Sequence, residues 1–259
     1  MTTKTLFAAL LATAAFTGAA NAQVAVALIG ENTLAMVDVA AKKVTGTVKV
    51  DGANLLGIDV RPADGMLYGL ASDGQIWTID AKTGKPTAKS KLDMPLPANV
   101  MMTVDFNPVA DRLRVIGSNG ANLRINVDDG KVTKDGDLKF AEADMHKGET
   151  PKIVAGAYTN SMKGAKETTL YDIDGTIGAL VKQAPPNDGV LGAVGKLGVK
   201  ADMAAFDIVT DSAGKSEGWL MAADTLYRVD LSTGKATAHG KIEGVGTMQV
   251  RDLAVMPAM

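Results

Sequence analysis

Residues 57–87 read G-I-D-V-R-P-A-D-G-M-L-Y-G-L-A-S-D-G-Q-I-W-T-I-D-A-K-T-G-K-P-T. They spell three short strands and the start of a fourth. Leu55–Val60 is apolar apart from Asp59. Pro62-Ala63-Asp64-Gly65 is turn chemistry, because proline fixes φ and glycine supplies positive φ. A second strand over residues 66–71 ends at Ser72-Asp73-Gly74. A third, over 75–80, ends at Lys82-Thr83-Gly84. A four-stranded antiparallel meander of about 40 residues is one blade of a β-propeller.

The unit recurs. Residues 103–133 repeat it: D-F-N-P stands where D-V-R-P stood, and L-R-I-N-V-D-D-G-K where I-W-T-I-D-A-K-T-G-K stood. Residues 205–237 give A-F-D-I-V-T and then W-L-M-A-A-D-T-L-Y-R-V-D-L-S-T-G-K-A-T. T-L-Y-D-I-D at 169–174 resembles T-L-Y-R-V-D at 225–230, so a more divergent unit lies between. Self-similarity at a fixed period in β-type units marks a radial array.

The two ends complete the count. Three strands at 24–29, 33–39 and 44–50 are placed like the second, third and fourth of a blade that lacks its first. Residues 250–256 form one unpartnered strand, with Asp252 read as the counterpart of Asp59. Joining the last strand to the first three closes the ring and removes two open sheet edges. The expectation is an all-β, five-bladed β-propeller with circular closure. Its blades are 24–50 plus 248–256, 53–93, 99–137, 138–199 and 202–245, a single domain over 23–259. The fourth is irregular, with a polar connector at 140–151 and loops at 161–167 and 184–189, where insertions often carry function. A monomer is expected.

Lys4, an apolar run at 6–16 and Ala20-Asn21-Ala22 have the order of a signal peptide, which predicts a mature start at Gln23 and export to the periplasm or beyond. The apolar run is too short to span a bilayer as a helix. A formal net charge of −2 gives no electrostatic case for nucleic acid. The chain has no Cys, so disulfides and thiolate metal sites are excluded.

The succession G-I-D-V-R-P…L-Y-G-L, D-F-N-P-V-A-D-R-L-R-V, A-Y-T-N, T-T-L-Y-D-I-D and A-P-P-N-D-G-V-L-G-A-V-G-K-L-G-V resembles a secreted bacterial family, domain of unknown function four-three-nine-four. The resemblance covers about residues 28–256 and implies a propeller-like fold and export. It brings no activity and no catalytic residues.

Four acids recur in first strands: Asp59, Asp105, Asp207 and Asp252. Converging on a central channel, they suit a hard cation such as Ca²⁺. The commoner role is structural, each carboxylate accepting backbone N–H groups of the neighbouring blade. Arg112, Arg114 and Arg124 form a second candidate, a clamp for carboxylate or phosphate. The plainer reading pairs them with Asp105, Asp111 or Asp128. Asp172-Ile173-Asp174-Gly175 begins like a calcium loop but lacks the later acids, so it reads as a turn. His146 and His239 stand alone, and the 13 Met residues fit core filling better than copper. Two functions follow. One is a non-enzymatic binding or scaffold module for a small molecule, glycan or protein, without a cofactor. The other is a metal-dependent hydrolase or lyase built on the axial Asp set.

Overall fold

The computed structural model describes residues 23–256 apart from 212, 247 and 248. The proposed signal peptide lies outside the described residues. β1 (Val24–Ile29), β2 (Thr33–Asp38) and β3 (Lys43–Lys49) open the first blade. The second is β4 (Leu55–Val60), β5 (Leu67–Ala71), β6 (Gln75–Ile79) and β7 (Pro86–Lys91). The third is β8 (Met102–Asn107), β9 (Arg112–Gly117), β10 (Asn122–Ile125) and β11 (Val132–Lys134). After β12 (Lys139–Phe140) comes the fourth, β13 (Ile153–Tyr158), β14 (Leu170–Asp174), β15 (Ala179–Gln183) and β16 (Val190–Lys196). The fifth is β17 (Ala204–Thr210), β18 (Ser216–Ala222), β19 (Thr225–Val229) and β20 (Ala236–Lys241), and β21 (Val250–Val255) ends the chain.

These strands form five antiparallel sheets, the blades expected from the repeats. β21 pairs antiparallel with β1, Ala25 opposite Val255 and Ala27 opposite Leu253, so the last strand completes the first blade. β4, β8, β13, β17 and β21 are the innermost strands, and each touches the innermost strand of the blade on either side. The third and fourth strands of the first, second, fourth and fifth blades all carry a register shift, at Met36/Val37, Ile76/Trp77, Leu180/Val181 and Leu226/Tyr227. A bulge shared by four blades is the repeat expressed in backbone geometry.

The inner strands are buried on both faces, β5 and β13 along their whole length, and the core is the set of seams between blades. Tyr68, Leu70 and Ile76 of the second blade pack on Val104, Phe106 and Leu113 of the third. Val26, Leu28 and Leu34 of the first pack on Ile58 and Leu67 of the second. The turns between third and fourth strands set how closely blades approach. Gly130 has φ +77°, and a Cβ there would run into the Lys91 carbonyl of the preceding blade. Gly84 and Gly234 meet Lys49 and Gly195 the same way, which explains the recurring G-K turns.

The connector before the fourth blade differs from its reading as wholly polar. Phe140 is buried, and β12 pairs in parallel with β16, covering an outer edge that β16 would otherwise expose. Asp144 fixes the connector by accepting the Ala193 N–H at 2.7 Å.

Ending the chain after Gly246 should leave β1 and β17 without their inner neighbour. Val250, Leu253 and Val255 are buried, each contributing about 1.5–3 kcal/mol. The shortened chain should aggregate or unfold without cooperativity in a urea titration. A truncated chain as soluble and cooperative as the full one would refute the closed ring.

Candidate functional site

The innermost strands have a free edge facing the axis, so some of their N–H groups have no strand partner. Aspartate supplies one. Asp59 Oδ2 accepts the Phe106 N–H of the next blade at 2.7 Å, and Oδ1 accepts the Val60 N–H at 2.6 Å. Asp207 takes Val255 and Ile208, both at 2.6 Å. Asp105 Oδ1 takes Tyr158 at 2.9 Å.

Each donor in the neighbouring blade is the residue after the position that matches the acid. Matched this way, Ala157 stands in that layer in the fourth blade and Ala254 in the first. Asp252 therefore sits two residues earlier than its reading as the counterpart of Asp59. It accepts from Ile58 at 3.0 Å and from Leu253 at 3.0 Å, one layer down the axis. Thr103 shares that lower layer, its Oγ1 accepting the Gly156 N–H at 3.2 Å. Gly57 has to be glycine there: a Cβ would come 2.5 Å from Asp252 Oδ2.

Asp59, Asp105 and Asp207 converge. Each offers a carboxylate oxygen within 4.8 Å of the others, and all three are buried. Burial raises all three pKa values. The negative charge of Asp207 raises Asp59 further, and those of Asp59 and Asp207 raise Asp105. Asp207 is raised to about 6 by burial, with the N–H groups of Val255 and Ile208 pulling the other way. Asp252 is raised by burial against the bonds from Ile58 and Leu253.

Asp59 and Asp207 also floor a pocket of about 680 Å³ where the innermost strands end. Its walls include Val209, Thr210 and Asp211, and Ser161, Met162 and Lys163 come from the inserted loop. A second hollow of about 410 Å³ lies between the third and fourth blades, against Tyr158, Gln183 and Pro186. Both loops singled out in the fourth blade thus reach the same end of the propeller.

Of the three candidate arginines, Arg114 and Arg124 meet on one carboxylate, and Arg112 stands apart. Arg114 is buried and binds Asp135 at 2.6 Å, Asn122 at 2.7 Å, Asn187 at 2.8 Å and the Tyr158 hydroxyl at 3.1 Å. Arg124 binds the same Asp135 at 2.7 Å. Arg112 donates to the carbonyl of Asp111 at 2.8 Å. Asp111 and Asp128 pair instead with Arg61, at 2.6 and 2.9 Å, tying the second blade to the third. In the sequence Arg61 stands only as the third residue of D-V-R-P, where D-F-N-P has Asn107. Asp174 is a turn acid, taking Thr176 at 2.8 Å and Ile177 at 3.2 Å. Asp172 is fully buried with no hydrogen bond to either oxygen, and burial raises its pKa against the pull of Arg114.

A family described as "Domain of unknown function (DUF4394)" matches residues 32–254. No curated protein matches the chain. A structure of a protein of unknown function from Bacteroides thetaiotaomicron is similar at 15% identity and TM-score 0.52, over 85% of this chain. This chain spans 58% of that one. A protein of unknown function from Bacteroides caccae aligns at 12% identity and TM-score 0.44, over 90% of this chain and 98% of its own. At this identity the likeness extends to fold alone. Among the described residues no helix is long and apolar enough to cross a membrane.

The raised carboxyls predict an unusual pH dependence. Between the ordinary value of 3.8 and about 6, folded Asp207 keeps a proton that the unfolded chain has lost. Stability then falls as pH rises through that window. Urea midpoints measured in chelator should drop from pH ~4 to ~6, and Asp207→Asn should flatten the slope. A wild-type midpoint that climbs steadily across the window contradicts the assignment.

Proposed function

The chain belongs to that family of unknown function, and we propose that it is an exported, non-enzymatic binding propeller whose ligand enters the pocket above the axial carboxylates. The observation that carries this reading is the pocket itself. Its volume of about 680 Å³ is in the range of small-molecule sites. Its lining mixes apolar surface from Met162, Val209 and Met256 with polar groups from Lys163, Asp211 and Gln23, a mixture suited to a polar small molecule or the end of a glycan.

The hydroxyls and the outer carboxylate in that lining are already engaged, which favours binding over hydrolysis. Ser161 donates to the Tyr158 carbonyl at 3.1 Å. Thr210 shares a hydrogen bond with Ser216 at 2.8 Å and accepts the Asn160 N–H at 2.9 Å. Asp211 holds a turn through Oδ1, which accepts the N–H groups of Ala213 and Lys215, both at 2.9 Å. A hydrolase or lyase that used one of these side chains as its nucleophile or base would need it free.

Two experiments test the reading. Saturation-transfer NMR with a panel of polar small molecules and oligosaccharides should give saturable hits that survive unchanged in the tube. Ser161→Trp, which fills the mouth from a loop, should abolish them while leaving the melting temperature within ~2 °C, as expected for a surface change. Hits that persist in the variant, or compounds consumed by the wild type, would overturn the binding reading. Separately, mass spectrometry of the protein from its native host should find Gln23 at the N-terminus. A chain beginning at Met1 removes the case for export.

A further inference from the structure

Three carboxylates share the axis with no cationic side chain bonded to any of them. Asp59 and Asp207 each spend both oxygens on backbone N–H groups. Asp105 is different. Its Oδ1 is bonded to Tyr158, but no donor among the described residues reaches its Oδ2. The N–H that would match Val60 and Ile208, that of Phe106, is already given to Asp59. Asp105 is only 5% exposed, so a side chain that is largely buried keeps one oxygen free of any protein donor, beside two further carboxylates.

We propose that the Asp59–Asp105–Asp207 group binds one Ca²⁺ at the axis of the propeller. Ca²⁺ takes oxygen ligands at 2.3–2.6 Å, so oxygens that share it lie up to about 5 Å apart. One oxygen from each acid lies within 4.8 Å of the others, which meets that requirement. The same layer has Ala157 and Ala254 at its other two positions, so the acids have no basic neighbour there. Ca²⁺ usually takes 6–8 ligands, and water entering from the pocket above Asp59 and Asp207 can supply those the protein does not. A bound cation would also offset the mutual repulsion of the three charges. Asp252 is not a ligand, because it lies in the layer below.

The inference does not depend on an organic ligand in the pocket, so the two can fail separately. The test uses the full mature chain stripped with chelator, with CaCl₂ as the only probe. Equilibrium dialysis should give one Ca²⁺ per chain, and the melting temperature should rise with the logarithm of Ca²⁺ concentration above Kd. Asp105→Asn keeps an oxygen for the Tyr158 N–H but loses the charge, and should weaken Ca²⁺ binding by tenfold or more. Should Asp105→Asn not fold, the wild-type dialysis alone decides. Less than ~0.1 Ca²⁺ per chain at millimolar concentration, a concentration already high against the affinities of weak calcium modules, overturns the site. So does an unchanged affinity in Asp105→Asn, which would place the ion elsewhere.

Discussion

The ring depends on one bond type, the hydrogen bond from a backbone N–H of one innermost strand to a carboxylate of its neighbour. A propeller blade solves the pairing of its own strands, but its innermost edge faces a channel too narrow for another strand. The N–H groups there need acceptors, and leaving one buried and unpaired costs about 1–3 kcal/mol. Asp252 to Ile58, Asp59 to Phe106, Asp105 to Tyr158 and Asp207 to Val255 join the first blade to the second, second to third, third to fourth and fifth to first. Between fourth and fifth, where Ala157 replaces the acid, the Asn160 N–H goes to the Thr210 hydroxyl instead. The irregular blade is thus also the one whose forward seam lacks a carboxylate.

Much of this was legible in the sequence, for a definite reason. Turn glycines and alternating strands recur at a fixed spacing, and the G-K turns are constrained both by positive φ and by contact with the preceding blade. The closing strand could be inferred because each end of the chain held part of one blade. The axial depth of Asp252 could not. It precedes two apolar residues much as Asp59 precedes Val60, and only the register against β1 shows that Ala254 is the true match. Arg61 and Asp135 were illegible for a related reason. Their partners lie 50 or more residues away for Arg61 with Asp111 and Asp128, and across a strand pair for Asp135 with Arg114 and Arg124. Asp172 matches Arg228 of the fifth blade, so position in the repeat gave no sign that it would be buried without a hydrogen bond.

On the proposed reading, stability and binding meet at the same carboxylates. Staples are needed along the whole axis, yet the charge of Asp207 lies close enough to raise the pKa of Asp59, and those of Asp59 and Asp207 to raise that of Asp105. Crowding Asp59, Asp105 and Asp207 into one layer, under a pocket and beneath the inserted loop at 161–163, concentrates negative charge where a ligand can reach it. On that reading the loops of the fourth blade serve the proposed site, and the regular blades the frame.

Amide hydrogen exchange tests the central claim most directly. The N–H groups of Ile58, Phe106, Tyr158 and Val255 have no strand partner and are protected only by the neighbouring blade's carboxylate. The account predicts that all four exchange as slowly as the paired amides of β5 and β18, through global unfolding. Exchange of these four at the rate of the loop amides at 161–167 would show that the carboxylates do not hold the ring.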